Sequence, residues 1–248
     1  MNLALRAASI ALLLAAWFAG SHAIGARLLP DPQAVGLAIV HEARSGALAF
    51  NLGVTLARVA ASFAIAMTLG TVLGLTMGRL PFFDRLADSW LVVLLNLPAL
   101  VIIVLAYIWA GLTETAAIAA VALNKLPIAT VTVREGARAL DPMLDEMATV
   151  FRMGMWARLR HVILPQLAPY LAAASRSGLS LVWKIVLIVE LLGRPNGVGF
   201  EIGVAFQLFD VTRILAYALA FVVVMLAIET LLMQPLERHV SRWRPRPA

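Results

Sequence analysis

Two sets of residues in this chain have types and spacings that bear on chemistry. The first is the stretch Glu146–Pro165, EMATVFRMGMWARLRHVILP, a basic amphipathic patch between two strongly apolar regions. Its charges and apolar side chains together form a surface that a soluble partner can grip. The second is a scatter of polar and ionisable side chains inside apolar runs: Asn96, Asn124, Lys125, Arg176, Lys184 and Glu190. Such groups are costly in hydrocarbon and default to pathway candidates. Neither set is an enzyme's constellation, because no paired acids, no His–Glu arrangement and no Ser with a base assemble at helical spacing. The chain has no cysteine, and His22, His41, His161 and His239 are far apart, so no metal site is indicated. Gly193–Gly199 (GRPNGVG) is glycine-rich but lacks the Lys-Ser or Lys-Thr and the preceding strand of a phosphate loop, so no nucleotide site is read.

The elements that must position these residues are membrane helices. The 248 residues are 62% apolar and 14% charged, with a mean hydropathy of +0.90. Soluble domains carry about 25% charged residues. The net charge of +6 raises nucleic acid as a partner, but membrane proteins collect Lys and Arg in their cytoplasmic loops, and that reading is the one adopted: no nucleic acid.

A bilayer core of about 30 Å needs roughly 20 apolar residues of helix. Six runs qualify, at 7–26, 54–77, 89–110, 115–133, 168–191 and 214–233. The fold class expected is an all-α membrane protein with about six transmembrane helices in a single domain. The first run also fits a signal peptide, with Arg6 as its leading charge and Ser21-His22-Ala23 near a cleavage site. Its length, and the other spans' need of a partner, favour a retained helix. With the N-terminus in the cytoplasm, arginines 6, 79, 85, 134, 138, 152, 158, 160, 238, 242, 244 and 246 lie inside, against Arg27, Arg44 and Arg194 outside. That bias is the positive-inside pattern, and an even span count places both termini inside.

Leu29–Pro32 reads as a turn and 33–42 as a short surface helix. Gly70 and Gly74 give the second run a small face for close helix packing within the chain. Asn96-Leu97-Pro98 interrupts the third run, and Pro127 beside Lys125 marks a bend in the fourth. Arg176 and Lys184, eight apart, share roughly one helix face; cations lining a cavity suit an anionic solute. Lys184 has other readings, as a partner of Glu190 or another span, or as a snorkelling side chain. Asn96, Arg176, Lys184 and Glu190 are the candidate solute-pathway residues. The tail from Arg242 to Arg246 fits anionic headgroups of membrane lipids.

Between the fourth and fifth runs, Asp141 is a candidate N-cap with Pro142 at the first helical position. Asp145 and Glu146 complement the dipole of the first turn. Met147, Val150, Phe151, Met155 and Leu159 recur at roughly helical spacing. The segment is either an interfacial helix resting on headgroups or a docking helix whose Phe151, Met155 and Trp156 enter a partner's groove.

These residues resemble the permease subunits of bacterial importers powered by ATP-binding cassettes, the binding-protein-dependent transport family. That family's cytoplasmic loop carries Glu-Ala-Ala, three residues, Gly, nine residues, Ile, one residue and Leu-Pro. Here Glu146, Ala148, Leu164 and Pro165 fall in register, and Val162 takes the Ile position. Met147 replaces the first Ala. Arg152 stands where the pattern has Gly, a residue suited to a tight turn between two short helices; the nearest glycine is Gly154. Leu29-Pro30-Asp31-Pro32 is similar to the family's Leu-Pro-Ser-Pro opening. Trp183-Lys184, Glu190–Gly193, Asn196–Gly199 and Pro235–Arg238 resemble the nitrate, sulfonate, taurine and bicarbonate branch.

The resemblance implies a type I ABC importer permease-like fold with a cytoplasmic coupling helix in about 141–165. The implied ATPase-coupling residues are Glu146, Ala148, Phe151, Gly154, Met155, Trp156, Leu164 and Pro165. The implied partners are a cassette ATPase dimer, a second permease subunit, a soluble solute-binding protein and membrane lipids. No cofactor is expected on this chain; the partner ATPase uses ATP and Mg, so the chain is not itself an enzyme. The implied location is the bacterial inner membrane. The implied solute is a small anion such as a sulfonate, taurine or nitrate, with a neutral heterocyclic precursor as the alternative. An ATP-independent channel or carrier is the competing class, and it would be active alone in liposomes.

Overall fold

The computed structural model describes residues 3–235. The Arg6 side chain and the tail residues Arg238, His239, Arg242, Trp243, Arg244 and Arg246 lie outside the described residues. Among those described, all regular structure is helical: α1 (Leu3–Ile24), α2 (Pro32–Arg44), α3 (Ala47–Arg79), α4 (Pro81–Asn96), α5 (Ala99–Ala110), α6 (Glu114–Arg138), α7 (Pro142–Val150), α8 (Met155–Arg158), α9 (Leu164–Gly193), α10 (Val198–Gln207) and α11 (Val211–Ile228). A π-helical turn, Leu159–Ile163, joins α8 to α9, and another, Glu229–Met233, follows α11.

Local chemistry sets the helix starts. Asp31 caps α2 by accepting from the Ala34 N–H at 2.6 Å, with Pro32 at the first position. Thr113 caps α6 through the Ala116 N–H at 3.2 Å. A side-chain oxygen there satisfies a backbone donor that has no partner within the helix. Among the described residues, four helices are long and apolar enough to cross a membrane: α3, α6, α8 with α9 (Met155–Gly193) and α11 with its π turn (Val211–Met233). The apolar part of α1, Ala8–Ile24, is shorter. The expected run at 89–110 is broken: α4 and α5 meet at 99°. Pro98 disfavours helical backbone in Leu97, which is extended at ψ 126°. Pro127, by contrast, lies inside the continuous α6.

The helices divide into two compact units. One holds the residues up to Leu56 together with Glu190–Leu226. Its centre is a bracket around the N-terminus of α10. The buried Glu190 carboxylate accepts from the Gly199 N–H at 2.8 Å and the Thr55 hydroxyl at 2.9 Å. Thr55 Oγ1 accepts from the Val198 N–H at 2.9 Å, and Asn51 Oδ1 from the Gly197 N–H at 2.8 Å. A carboxylate on the free N–H groups of a helix start is favoured by both hydrogen bonding and the helix dipole. Gly197, at φ 106°, leaves no room for a Cβ beside that carboxylate. Further along, Arg213 pairs with Glu201 at 2.9 Å and Glu42 at 3.3 Å, and the Tyr217 hydroxyl donates to Glu42 at 2.8 Å.

The other unit holds Ala57–Val189 and the residues from Ala227. Its axis is α6, whose apolar window is 56% buried against 22–33% for the other three spans. Lipid tails are as apolar as leucine, so helices associate here through close packing and not through the hydrophobic effect. Gly70, Gly74 and Gly78 supply the close approach: their missing Cβ atoms would lie 2.6 Å from Ala129 Cβ, 2.6 Å from Thr130 O and 2.5 Å from Ala137 Cβ. The small face expected in the second run thus packs against α6 of the same chain. Arg58 and Glu114 pair through Nε–Oε1 at 2.6 Å and Nη2–Oε2 at 3.0 Å. The fully buried Lys125 extends from α6 and donates to the Ala174 carbonyl of α9 at 2.9 Å, through space that Gly178 leaves open.

Candidate functional site

The segment expected to dock with a partner folds as two short helices with a sharp turn between them. Asp141 caps α7 through the Met143 N–H at 2.8 Å, with Pro142 at the first position, as its sequence predicts. The Asp141 N–H donates to Gln166 Oε1 at 2.9 Å, which ties the start of α7 to α9.

The end of α7 is a Schellman motif. The Arg152 N–H donates to Thr149 O at 3.0 Å and the Met153 N–H to Ala148 O at 2.9 Å. Such a turn needs a left-handed residue, usually glycine, just past the helix. Here Arg152 takes that role at φ 49°. It stands where the family pattern has its glycine, so the turn survives the substitution, at a steric cost of about 1–2 kcal/mol for a side chain in left-handed backbone. Phe209 (φ 56°) does the same after α10, where its N–H donates to Phe206 O and the Asp210 N–H to Ala205 O.

Asp145 fixes this assembly to the rest of its unit. Arg158 of α8 binds it through Nε–Oδ1 at 2.9 Å and Nη2–Oδ2 at 2.6 Å, and Arg79, at the end of α3, through Nη2–Oδ2 at 2.7 Å. The hydrogen bond from Arg158, then that from Arg79, hold the Asp145 carboxyl below the usual carboxylate range, against the opposing pull of partial burial. Pro142, Asp145, Glu146, Thr149, Val150 and Arg158 line an open depression of about 550 Å³.

With the backbone fixed, large apolar side chains face outward. Met155 is 90% exposed, Val150 78%, and Phe151 and Trp156 73% each. Glu146 and Gly154 are exposed on the same segment. Ala148 is buried at the turn, and Leu164 and Pro165, at the start of α9, are exposed. Sequence reasoning gave Asp145 only a place in the first helical turn and missed its pairing. Arg79 lies 66 positions away, and no local periodicity links the two.

The candidate pathway residues are placed separately. Asn96 ends α4, exposed, with its amide on Val92 O at 2.8 Å. Arg176 pairs with Glu229 at 3.3 Å. Lys184 is exposed, with its ammonium 5.5 Å from the Trp183 ring. Glu190 is occupied in the bracket on α10 described above.

The model of the family described as binding-protein-dependent transport system inner membrane component matches residues 66–244. The chain belongs to this family. The permease is 28% identical over 236 residues to the putative aliphatic sulfonates transport permease protein SsuC of Bacillus subtilis (strain 168), a match covering 94% of this chain and 85% of the relative. It is 30% identical over 222 residues to the protein of the same description in Escherichia coli (strain K12), covering 90% and 84%. Among solved structures it is similar to the inward-facing MetNI methionine ABC transporter, with a TM-score of 0.62 and 17% identity over 78% of this chain and 94% of that one. The all-α membrane fold expected for an ABC importer permease is therefore the observed fold, and the chain is a multi-pass membrane protein.

Proposed function

We propose that this permease is the membrane subunit of an ABC importer for a small sulfonate- or taurine-like anion. A soluble binding protein delivers the solute outside, and a cassette ATPase grips residues 141–165 from the cytoplasm. The observation that carries this reading is the display of Val150, Phe151, Met155 and Trp156 on a segment fastened by Asp145. Large exposed apolar side chains gathered in one short segment on a fixed mount are a mark of an interaction surface. The sulfonate descriptions of the relatives in Bacillus subtilis and Escherichia coli support the solute class.

On this reading ATP and Mg bind the partner, and hydrolysis occurs there. Closure of the ATPase dimer draws the loops of two permease subunits together. Because Asp145 is paired with Arg79 at the end of α3, displacement of α7 is passed to a membrane span. The spans then exchange an inward-facing for an outward-facing arrangement, a two-state element biased from a distance. Among the pathway candidates, Lys184 is an exposed cation suited to an anionic solute, while the bracket on α10 gives Glu190 a structural task. Both termini lie in the cytoplasm.

The test is reconstitution in liposomes. Permease with its ATPase and binding protein is expected to take up an alkanesulfonate only with internal ATP and Mg at the ATPase. Uptake by the permease alone would instead place it among ATP-independent carriers.

A further inference from the structure

Arg152 is the one residue of the loop in which three features coincide; Arg160 is also exposed and unpaired among the described residues, but its backbone is helical. Arg152 adopts left-handed backbone, a conformation that glycine would take without strain. It is exposed, and its guanidinium has no partner among the described residues, whereas Arg158 is bound to Asp145. It also adjoins Phe151, one of the large exposed apolar side chains of the segment. Strained backbone persists where something compensates for it, and it clusters at functional positions. A diffuse attraction to anionic headgroups does not account for the choice of position. Gly154, two residues on, has ordinary backbone (φ −61°) and open space around its missing Cβ, so a cation there would be free of strain. A directional partner does account for it, because a guanidinium fork matches a carboxylate at one defined place.

We propose that Arg152 is a partner-selecting contact: its guanidinium meets a carboxylate on the rim of the ATPase cleft that receives the loop, and an ATPase lacking that acid docks weakly. This rests on the docking reading given above.

The experiment measures association of the full-length permease with its own ATPase in neutral detergent, with and without added phosphatidylglycerol. The variants are Arg152→Gly, Arg152→Asn, Arg152→Glu and Phe151→Arg. Glycine and asparagine both accept left-handed backbone, so the first two keep the turn while removing the charge. Each is expected to weaken association about tenfold and to flatten its salt dependence. Arg152→Glu is expected to weaken it further, and one Asp or Glu to Lys change on the ATPase rim is expected to restore it. Wild-type affinity in both Arg152→Gly and Arg152→Asn overturns the proposal. If Phe151→Arg still abolishes association in that case, the docking reading stands; if it too is neutral, docking fails as well. A defect seen only with phosphatidylglycerol present also overturns the proposal, in favour of a headgroup contact.

Discussion

Arg158 holds Asp145 with two nitrogens of one guanidinium, while Arg79 reaches the same carboxylate from the end of α3. One carboxylate thereby joins α7, α8 and a membrane span. A forked, charge-assisted pair resists rotation as well as separation. This keeps a short exposed helix from swinging on its connections.

The pairing has a defined pH dependence. The Asp145 carboxyl is held below its ordinary range. A depressed folded value means that the pairing contributes fully above the unfolded carboxylate value of about 3.9 and is lost as pH falls through the lower folded value. Amide exchange of α7, corrected for intrinsic rates, is therefore expected to be flat from neutral pH to about 5 and to rise only in stronger acid. Asp145→Asn is expected to exchange about tenfold faster throughout, about 1.4 kcal/mol, with no acid step. Equal protection in wild type and variant would show that the carboxylate is not the fastening.

The glycine face of α3 predicts a sharp positional contrast. A Cβ at Gly74 would lie 2.6 Å from the Thr130 carbonyl and 2.8 Å from Val133 Cβ, and backbone gives way poorly. Gly74→Ala is expected to destabilise by about 1–3 kcal/mol, seen as a lower thermal midpoint in detergent. Gly53→Ala, on the same helix with nothing within 4 Å, is expected to be neutral or to stabilise by about 0.5–1 kcal/mol. Similar behaviour of the two variants would mean that α3 and α6 do not pack at this distance.

What the sequence made legible was local. Asp141-Pro142 announces the start of α7, because a cap and its helix are neighbours in the chain; Asp31-Pro32, read as the end of a turn, is the cap and first residue of α2. Gly70 and Gly74 show their face because helical spacing is periodic. Pro98 marks the break between α4 and α5, although the 99° bend depends on packing that no local pattern encodes. Lys125 had no account in sequence because its partner is a backbone carbonyl, Ala174 O, 49 positions away, and such a partner leaves no residue-type signature. Glu190 read as a pathway acid for a similar reason: Thr55, which it shares with the start of α10, is 135 positions distant. Arg152 was visible as a departure from the family's glycine, but only the backbone shows that an arginine can hold the same turn.

Glu190 and Lys184 are expected to separate by readout. Glu190→Ala leaves the Gly199 N–H without its side-chain acceptor in a buried site, and is expected to cost about 1–3 kcal/mol, measured as lost thermal stability. Lys184→Ala is expected to leave stability and ATPase docking intact and to raise the concentration for half-maximal uptake of an alkanesulfonate several-fold. Unchanged uptake kinetics in Lys184→Ala would remove that residue from the solute's path.

The central claim is that the exposed segment around Phe151 is the handle by which a separate ATPase moves this permease. Its most direct test is co-purification of tagged permease with the cassette ATPase, wild type against Phe151→Arg, with membrane insertion checked in parallel. A stable complex is expected for the wild type and none for the variant, with both proteins inserted equally. Equal recovery of the ATPase with both would contradict that claim.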